Sequence, residues 1–458
     1  MPYIAGPGNI PRGDLVKHVR WVALVATIVL ATAGTSTAFA ARSTADKPTA
    51  TEVGVTATTV RIAVVADVNT PLAPGLFQGS VDGVKGWAKY VNANGGLAGR
   101  KVVVDFIDSK LNGDEARNAV IKACSQDFAL VGTSALVLNN VDDIEGCVDQ
   151  AGTAVGIPDI AVVTTEVVQQ CSPTTFAVNP PPLKCATKDQ QPQTYQANAG
   201  RAFWYEKKYG KDLHGGYIVS GDIKSAENAN RASMTEMQVA GSGIKADFTA
   251  PISSTATQTA YTPIVQQLKD KSSNYAQSGG TFNTTVLLRR EAKLQGVNDP
   301  KFIWDCTLQC YDKQLIKQGG ADVEGQYVSL LFLPFEEAKY NKTLTNFLKY
   351  TGTAKASGFA IQAYASGLLL SQAINQVVSA AGVNGLTRKA VFDQLNSINS
   401  FNAGGMIGTT NVADRTVSSC YALTQVKNGK FVRVTPSKKG TFDCKARNLV
   451  QVKLNLLK

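Results

Sequence analysis

The sequence predicts an α/β protein of two similar lobes, each a mostly parallel sheet flanked by helices. Three observations lead there. The chain has 458 residues, more than one compact core usually serves. From residue 59 onward, short β-rich runs alternate with helical stretches, the rhythm of a parallel sheet covered on both faces. That rhythm stops between Cys171 and Pro192, where Asn179-Pro180-Pro181-Pro182 can continue neither a helix nor a central strand, and it then restarts.

Taken in order, Arg12, Lys17 and Arg20 precede the apolar run Trp21 to Ala33, and Ala38 and Ala40 frame a cleavage site. The run is shorter than the roughly 20 residues a spanning helix needs. Residues 1–40 therefore read as an export signal cut after Ala40, and 41–57, with Lys47 and Pro48, as a flexible leader. Val60 to Val65 is the first strand, and Val81, Val84, Trp87 and Val91 then form the apolar stripe of a helix. This helix stops at Asn94-Gly95-Gly96. Val102 to Ile107, helix Asp114 to Cys124, Phe128 to Val131 and Ile160 to Val163 continue the pattern. After the break come helix Tyr195 to Tyr209, strand Tyr217 to Val219, helix Ala226 to Val239, strand Ala246 to Ile252 and helix Thr262 to Leu268. Strands Thr285 to Leu288 and Phe302 to Trp304 follow, then a long Ala-rich helix from Ala356 to Ala380. A hairpin over Tyr421 to Val434 turns at Asn428-Gly429, a pair suited to a type I′ turn. Lobe one is expected over 58–177 plus 306–405 and lobe two over 178–305 plus 406–458, with crossings near residues 177, 305 and 405.

Apolar residues make up 44% and charged residues 18%, as in folded soluble proteins. The formal charge of +11 falls to +9 once residues 1–40 are removed. Its Lys and Arg residues are scattered rather than clustered among aromatics, so a basic surface near an anionic envelope is expected and nucleic acid is not. Eight cysteines in an exported chain argue for disulfides. The least tangled pairing joins neighbours: Cys124 with Cys147, Cys171 with Cys185, Cys306 with Cys310, and Cys420 with Cys444. Residues 41–458 hold one histidine, His214, and no C-x-x-C pair, so neither a metal centre nor a cofactor is expected.

Catalytic patterns are scarce. His214 sits in a polar loop, there is no Gly-x-Ser-x-Gly elbow, and Asn94 to Arg100 follows a helix and precedes a strand, the reverse of a dinucleotide loop. What remains is a cleft where strand ends meet, the usual ligand position in open parallel sheets. Polar residues predicted there are Asn69 and Thr70, Thr133 and Ser134, Thr164 and Thr165, and in lobe two Asp222, Lys224 and Ser225. Such hydroxyls and helix-start amides suit a carboxylate, another small anion or a zwitterion; the alternative reading of each is a helix cap.

From Val60 to Thr165 the chain resembles the periplasmic binding proteins of the branched-chain amino acid type. Val60-Arg61-Ile62-Ala63-Val64, the loop Pro71 to Gly79, Val91 to Val102 with its Asn-Ala-x-Gly-Gly-x-x-Gly-Arg run, Asp108, Ala116-Arg117 and Leu130-Val131-Gly132 carry the likeness. A weaker likeness continues through Gly156-Ile157-Pro158 to Asn402-Ala403-Gly404-Gly405 and the final hairpin. The resemblance implies a type I two-lobed fold with three hinge strands and an ABC-type importer as partner. It also implies a threonine that holds a ligand carboxylate, matched here by Thr165 beside Thr164. The family's serine position falls at Leu136, with Ser134 and Asn139 nearby, and its lobe-two acid falls near Thr257. The expected protein is thus a monomeric extracytoplasmic solute-binding protein that closes on an amino acid, amide or related compound. A ligand-sensing subunit of a membrane receptor and, more remotely, a secreted hydrolase are the alternatives.

Overall fold

The computed structural model describes residues 46–179 and 194–453. The first half is built on a five-stranded parallel sheet in the order β2-β1-β3-β4-β5. Its strands are β1 (Thr59–Ala66), β2 (Lys101–Asp108), β3 (Ala129–Val131), β4 (Asp159–Ala161) and β5 (Thr175–Ala177). The apolar run of β1 lies between β2 and β3 and is buried from Ile62 to Ala66, which is why it lacks strict alternation. Helices α1 (Gln78–Ala93), α2 (Gly113–Gln126), α3 (Asp142–Glu145) and α4 (Val167–Cys171) connect these strands. Asn112 caps α2, accepting from the amides of Asp114 and Glu115.

The second half opens with β6 (Thr194–Asn198) and α5 (Gly200–Tyr209), so the helix expected from Tyr195 begins five residues later. It continues through β7 (His214–Ser220), α6 (Lys224–Val239), β8 (Lys245–Ile252), α7 (Thr262–Asp270), β9 (Tyr275–Ser278), α8 (Phe282–Leu294), β10 (Ile303–Cys306), α9 (Lys313–Gly319) and β11 (Tyr327–Leu330). Three helices then return to the first half: α10 (Lys342–Thr351), α11 (Gly358–Ala381) and α12 (Arg388–Leu395). The chain ends with β12 (Ala422–Lys427), β13 (Lys430–Thr435) and β14 (Leu449–Lys453). The second sheet has seven strands in the order β13-β12-β11-β10-β9-β7-β8, and β14 pairs separately with β6. Asn428 and Gly429 both take positive φ in the β12–β13 turn, as the expected hairpin requires.

Two sequence expectations change here. The run Thr285 to Leu288 lies inside α8, where Val286, Leu288 and Ala292 face inward, and the strand is β9 instead. β11 pairs with β10 and β12, so the return to the first half expected at residue 306 comes after Leu330. There, residues 331–333 run antiparallel to 406–408: Leu333 donates its amide to the Met406 carbonyl and Gly408 to that of Leu331, both at 3.0 Å. The crossing expected near residue 177 falls at the end of β5, and residues 180–193 lie outside those described.

The leader also differs from expectation. Residues 41–45 lie outside the described part, but 46–57 is fixed against the first half. Thr49 bonds Asn384, Thr51 bonds the Leu386 carbonyl, and buried Glu52 accepts from the amides of Gln150 and Arg388. The extended Thr-rich backbone satisfies itself through these contacts. Arg100, the last residue of the Gly-rich run, is 1% exposed. Its guanidinium donates to the carbonyls of Thr49, Thr56, Ala98 and Val383 at 2.7–3.0 Å, which ties the leader, the turn and the loop after helix α11 together. Gly96 and Gly99 have positive φ, and a Cβ on Gly96 would meet the Arg100 carbonyl at 2.0 Å. This run is therefore scaffold. Disulfides join Cys124 to Cys147, Cys306 to Cys310 and Cys420 to Cys444. Cys171 is also disulfide-bonded, and Cys185 lies outside the described residues.

Candidate functional site

Parallel strands release their loops at one edge of a sheet, and the loops of the two halves meet. The Leu136 carbonyl, in the segment after β3, is the meeting point. It accepts from Thr165 Oγ1 in the first half at 3.2 Å and from Ser225 Oγ in the second at 2.7 Å. A second bond crosses where Ser254 Oγ, after β8, donates to the Leu72 carbonyl at 3.0 Å. Leu136 is held in turn by its own amide, which donates to Asp67 at 2.8 Å; that buried carboxylate also accepts from Ser109 and Leu111.

Helix capping does not account for these hydroxyls. The residue capping α4 is Glu166 and that capping α6 is Ile223, and neither helix has a side-chain cap bond. Thr165 and Ser225 reach instead to Leu136. Thr164 lies beside them, its carbonyl accepting from Gln170 Nε2 at 2.6 Å. Asp222 accepts from the Ser254 amide and hydroxyl, both at 2.6 Å. Burial would raise its pKa, but the hydrogen bonds from Ser254 and Ser253 outweigh that and hold it below the usual carboxylate value. Lys224 is exposed and pairs with Glu227 at 3.2 Å.

Other predicted residues sit elsewhere. Ser134 is fully buried, bonded to Ser80 Oγ at 2.8 Å and to the Gly132 carbonyl at 3.0 Å, so its hydroxyl is engaged inside the first half. Asn69 is at the outer rim. Its amide and side chain both donate to Asp108, at 3.0 and 2.5 Å. Thr257, toward which the resemblance pointed for an acid, is exposed and contacts Thr259.

Four positions were missed. Ser278, Thr307 and Gln309 lie at the ends of β9 and β10, on the same edge as Ser225. Gln309 Nε2 donates to the Ser278 carbonyl at 3.4 Å, and Thr307 Oγ1 donates to Gln309 Oε1 at 2.6 Å. Leu308 between them backs onto Gly358 at the start of α11, where a Cβ would lie 2.6 Å from the Leu308 carbonyl. The Cys306–Cys310 bridge that closes this loop was the visible signal, but with β9 misplaced its position could not be read. The fourth is Glu166, next to Thr165 and beside Ser225. Burial raises its pKa, while a hydrogen bond with Ser225 works against the rise.

Two cavities, one of about 260 Å³ lined by Trp204, Lys207 and Arg447 and one of about 710 Å³ along α11, lie away from these strand ends. Among the described residues no group of three or more His, Cys, Asp or Glu could hold a metal ion. His214 Nδ1 bonds Asp247 at 2.8 Å, and Asp247 also accepts from Ser273, so the carboxylate stands between ring and hydroxyl. That order does not let the imidazole take a proton from the serine.

Residues 59–430 match a family model described as periplasmic binding protein. No curated protein sequence matches the chain. Among solved structures, a substrate-binding protein of an ABC transporter from Aeropyrum pernix is 16% identical over 85% of this chain and 97% of its own, with a TM-score of 0.64. A fatty acid ABC transporter substrate-binding protein from Thermomonospora curvata is 15% identical, covering 86% and 95%, at 0.65. A branched-chain amino acid ABC transporter protein from Thermus thermophilus with bound valine is 12% identical, covering 85% and 98%, at 0.63.

Proposed function

Since this chain belongs to the periplasmic binding protein family, we propose that it is a two-lobed clamp that takes up a small polar ligand outside the cytoplasm and passes it to an ABC-type importer. The observation that carries this reading is the Leu136 carbonyl, on which hydroxyls from both halves converge. Contacts that cross a cleft exist only when it is shut, so they bias the two halves toward closure. A ligand seated among Thr164, Thr165, Asp222 and Ser225 adds to that bias through contacts available only in the closed form. Similar structures include binders of valine and of fatty acid by their descriptions, so ligand chemistry is read from this chain's own residues.

Export supports the same reading: the basic and apolar N-terminal run fits a signal cut after Ala40. No helix among the described residues is long and apolar enough to cross a membrane. Edman sequencing of the secreted protein should begin at Ala41, and light scattering should return a monomer. The function itself is tested by a thermal-shift screen of amino acids, amides, short peptides and organic acids, followed by small-angle scattering. A true ligand raises the melting temperature by mass action and lowers the radius of gyration. Stabilisation without compaction would defeat the clamp.

A further inference from the structure

Glu166 is a carboxylate in the cleft for which no described residue supplies a cation. It follows Thr165 at the end of β4, is half-buried, and faces Ser225 from the opposite half. The nearby cations are engaged elsewhere. Lys224 reaches Glu227 at 3.2 Å, and the Arg415 guanidinium donates to the carbonyls of Gln170 and Ser172 at 2.8 and 2.5 Å. No described lysine, arginine or histidine forms an ion pair with Glu166. The one polar side chain recorded against the carboxylate among the described residues is the Ser225 hydroxyl, which also reaches the Leu136 carbonyl and carries no charge. The other acid in the cleft, Asp222, is satisfied by Ser254.

A partly desolvated carboxylate without a cation is costly to keep, and a neutral side chain of the same shape would stabilise the empty protein. Groups held at such a cost are found where function needs them. We infer that Glu166 selects the ligand: it pairs with a cationic nitrogen, so the compound held between the halves carries an ammonium, guanidinium or amidinium group. This rests on the clamp reading above and narrows it. Thr164 and Thr165, two and one residues before Glu166, are left to bind the ligand's polar remainder.

The test uses purified residues 41–458 and their Glu166→Gln variant, each titrated with agmatine and putrescine, with 1,4-butanediol as the uncharged counterpart of putrescine, and with succinate. The expected result is that a cationic probe raises the melting temperature while butanediol and succinate do not. Glu166→Gln should then weaken that probe by at least about tenfold and raise the melting temperature of the ligand-free protein. A purely structural glutamate would lower the ligand-free value and leave affinity alone, which overturns the inference. Binding of butanediol or succinate in preference to the cations, unchanged in Glu166→Gln, also overturns it but leaves the clamp standing. Silence from every probe, together with the wider screen, removes both.

Discussion

Thr165 and Glu236 show how differently single residues of one chain can be judged. Thr165→Ala removes a hydroxyl from the cleft wall. If that hydroxyl meets a buried ligand atom, the variant should lose about 1–3 kcal/mol of binding, read by calorimetry, with the ligand-free melting point unchanged. Glu236, in α6, is pushed up to about 7 by burial, with Arg201 opposing the shift. A carboxyl with a raised native pKa binds protons more tightly when folded. Stability is therefore fullest below the ordinary value of 4.5 and declines as pH rises toward about 7. Asp127, raised to about 7 by burial and by its contact with Asp105, titrates in the same window. Glu236→Gln should make urea unfolding less sensitive to pH between 5 and 8, with its gain over wild type appearing at the alkaline end. The position of Thr165 could be read from sequence because it follows a strand that was itself legible, whereas its choice of the Leu136 carbonyl over a helix cap shows only in the fold. Glu166 could not, since an acid's missing partner shows only when every neighbour's position is known.

Helix α1 was legible because its stripe Val81, Val84, Trp87 and Val91 has a period that only a helix satisfies. What the stripe could not reveal is how closely the helix is approached. A Cβ on Gly83 would lie 2.1 Å from the Ala360 carbonyl in α11, and one on Gly86 would lie 2.1 Å from Thr351 Oγ1. Alanine is favoured over glycine in a helix interior by about 1 kcal/mol, yet Gly83→Ala should destabilise by about 1–3 kcal/mol through overpacking, measured by chemical denaturation. β9 was misread for a related reason. Tyr275-Ala276-Gln277-Ser278 looks polar, but Gln277 donates to Ser233 and Ser278 bonds Thr285, so a buried central strand carries amide and hydroxyl groups. The β-branched run Thr284-Thr285-Val286 nearby drew the strand assignment instead, although its inward residues lie at helical spacing. The pairing of β6 with β14 joins residues more than 250 apart and leaves no local trace at either end.

For the whole molecule, two alternating patterns and one break were enough to give two α/β halves, whereas where each half ends depended on β11. One hydrophobic cluster contains Val60, Val64 and Trp87 of the first half together with Val328, Leu330, Val426 and Phe431 of the second sheet. The paired crossings at 331–333 and 406–408 run between the same halves. The halves should therefore unfold together: variants whose fluorescence reports Trp87 alone or Trp304 alone should share one denaturation midpoint, and two midpoints would show that the halves are energetically separate.

The order of the chain has a kinetic consequence. α1 packs on α11, Thr49 bonds a residue 335 positions later, and β11 waits for β12 before its sheet is complete. Neither half can close on its own continuous stretch, so loop closure must precede most of the rewarding contacts. A chain made residue by residue cannot complete the second sheet until β12 and β13 emerge.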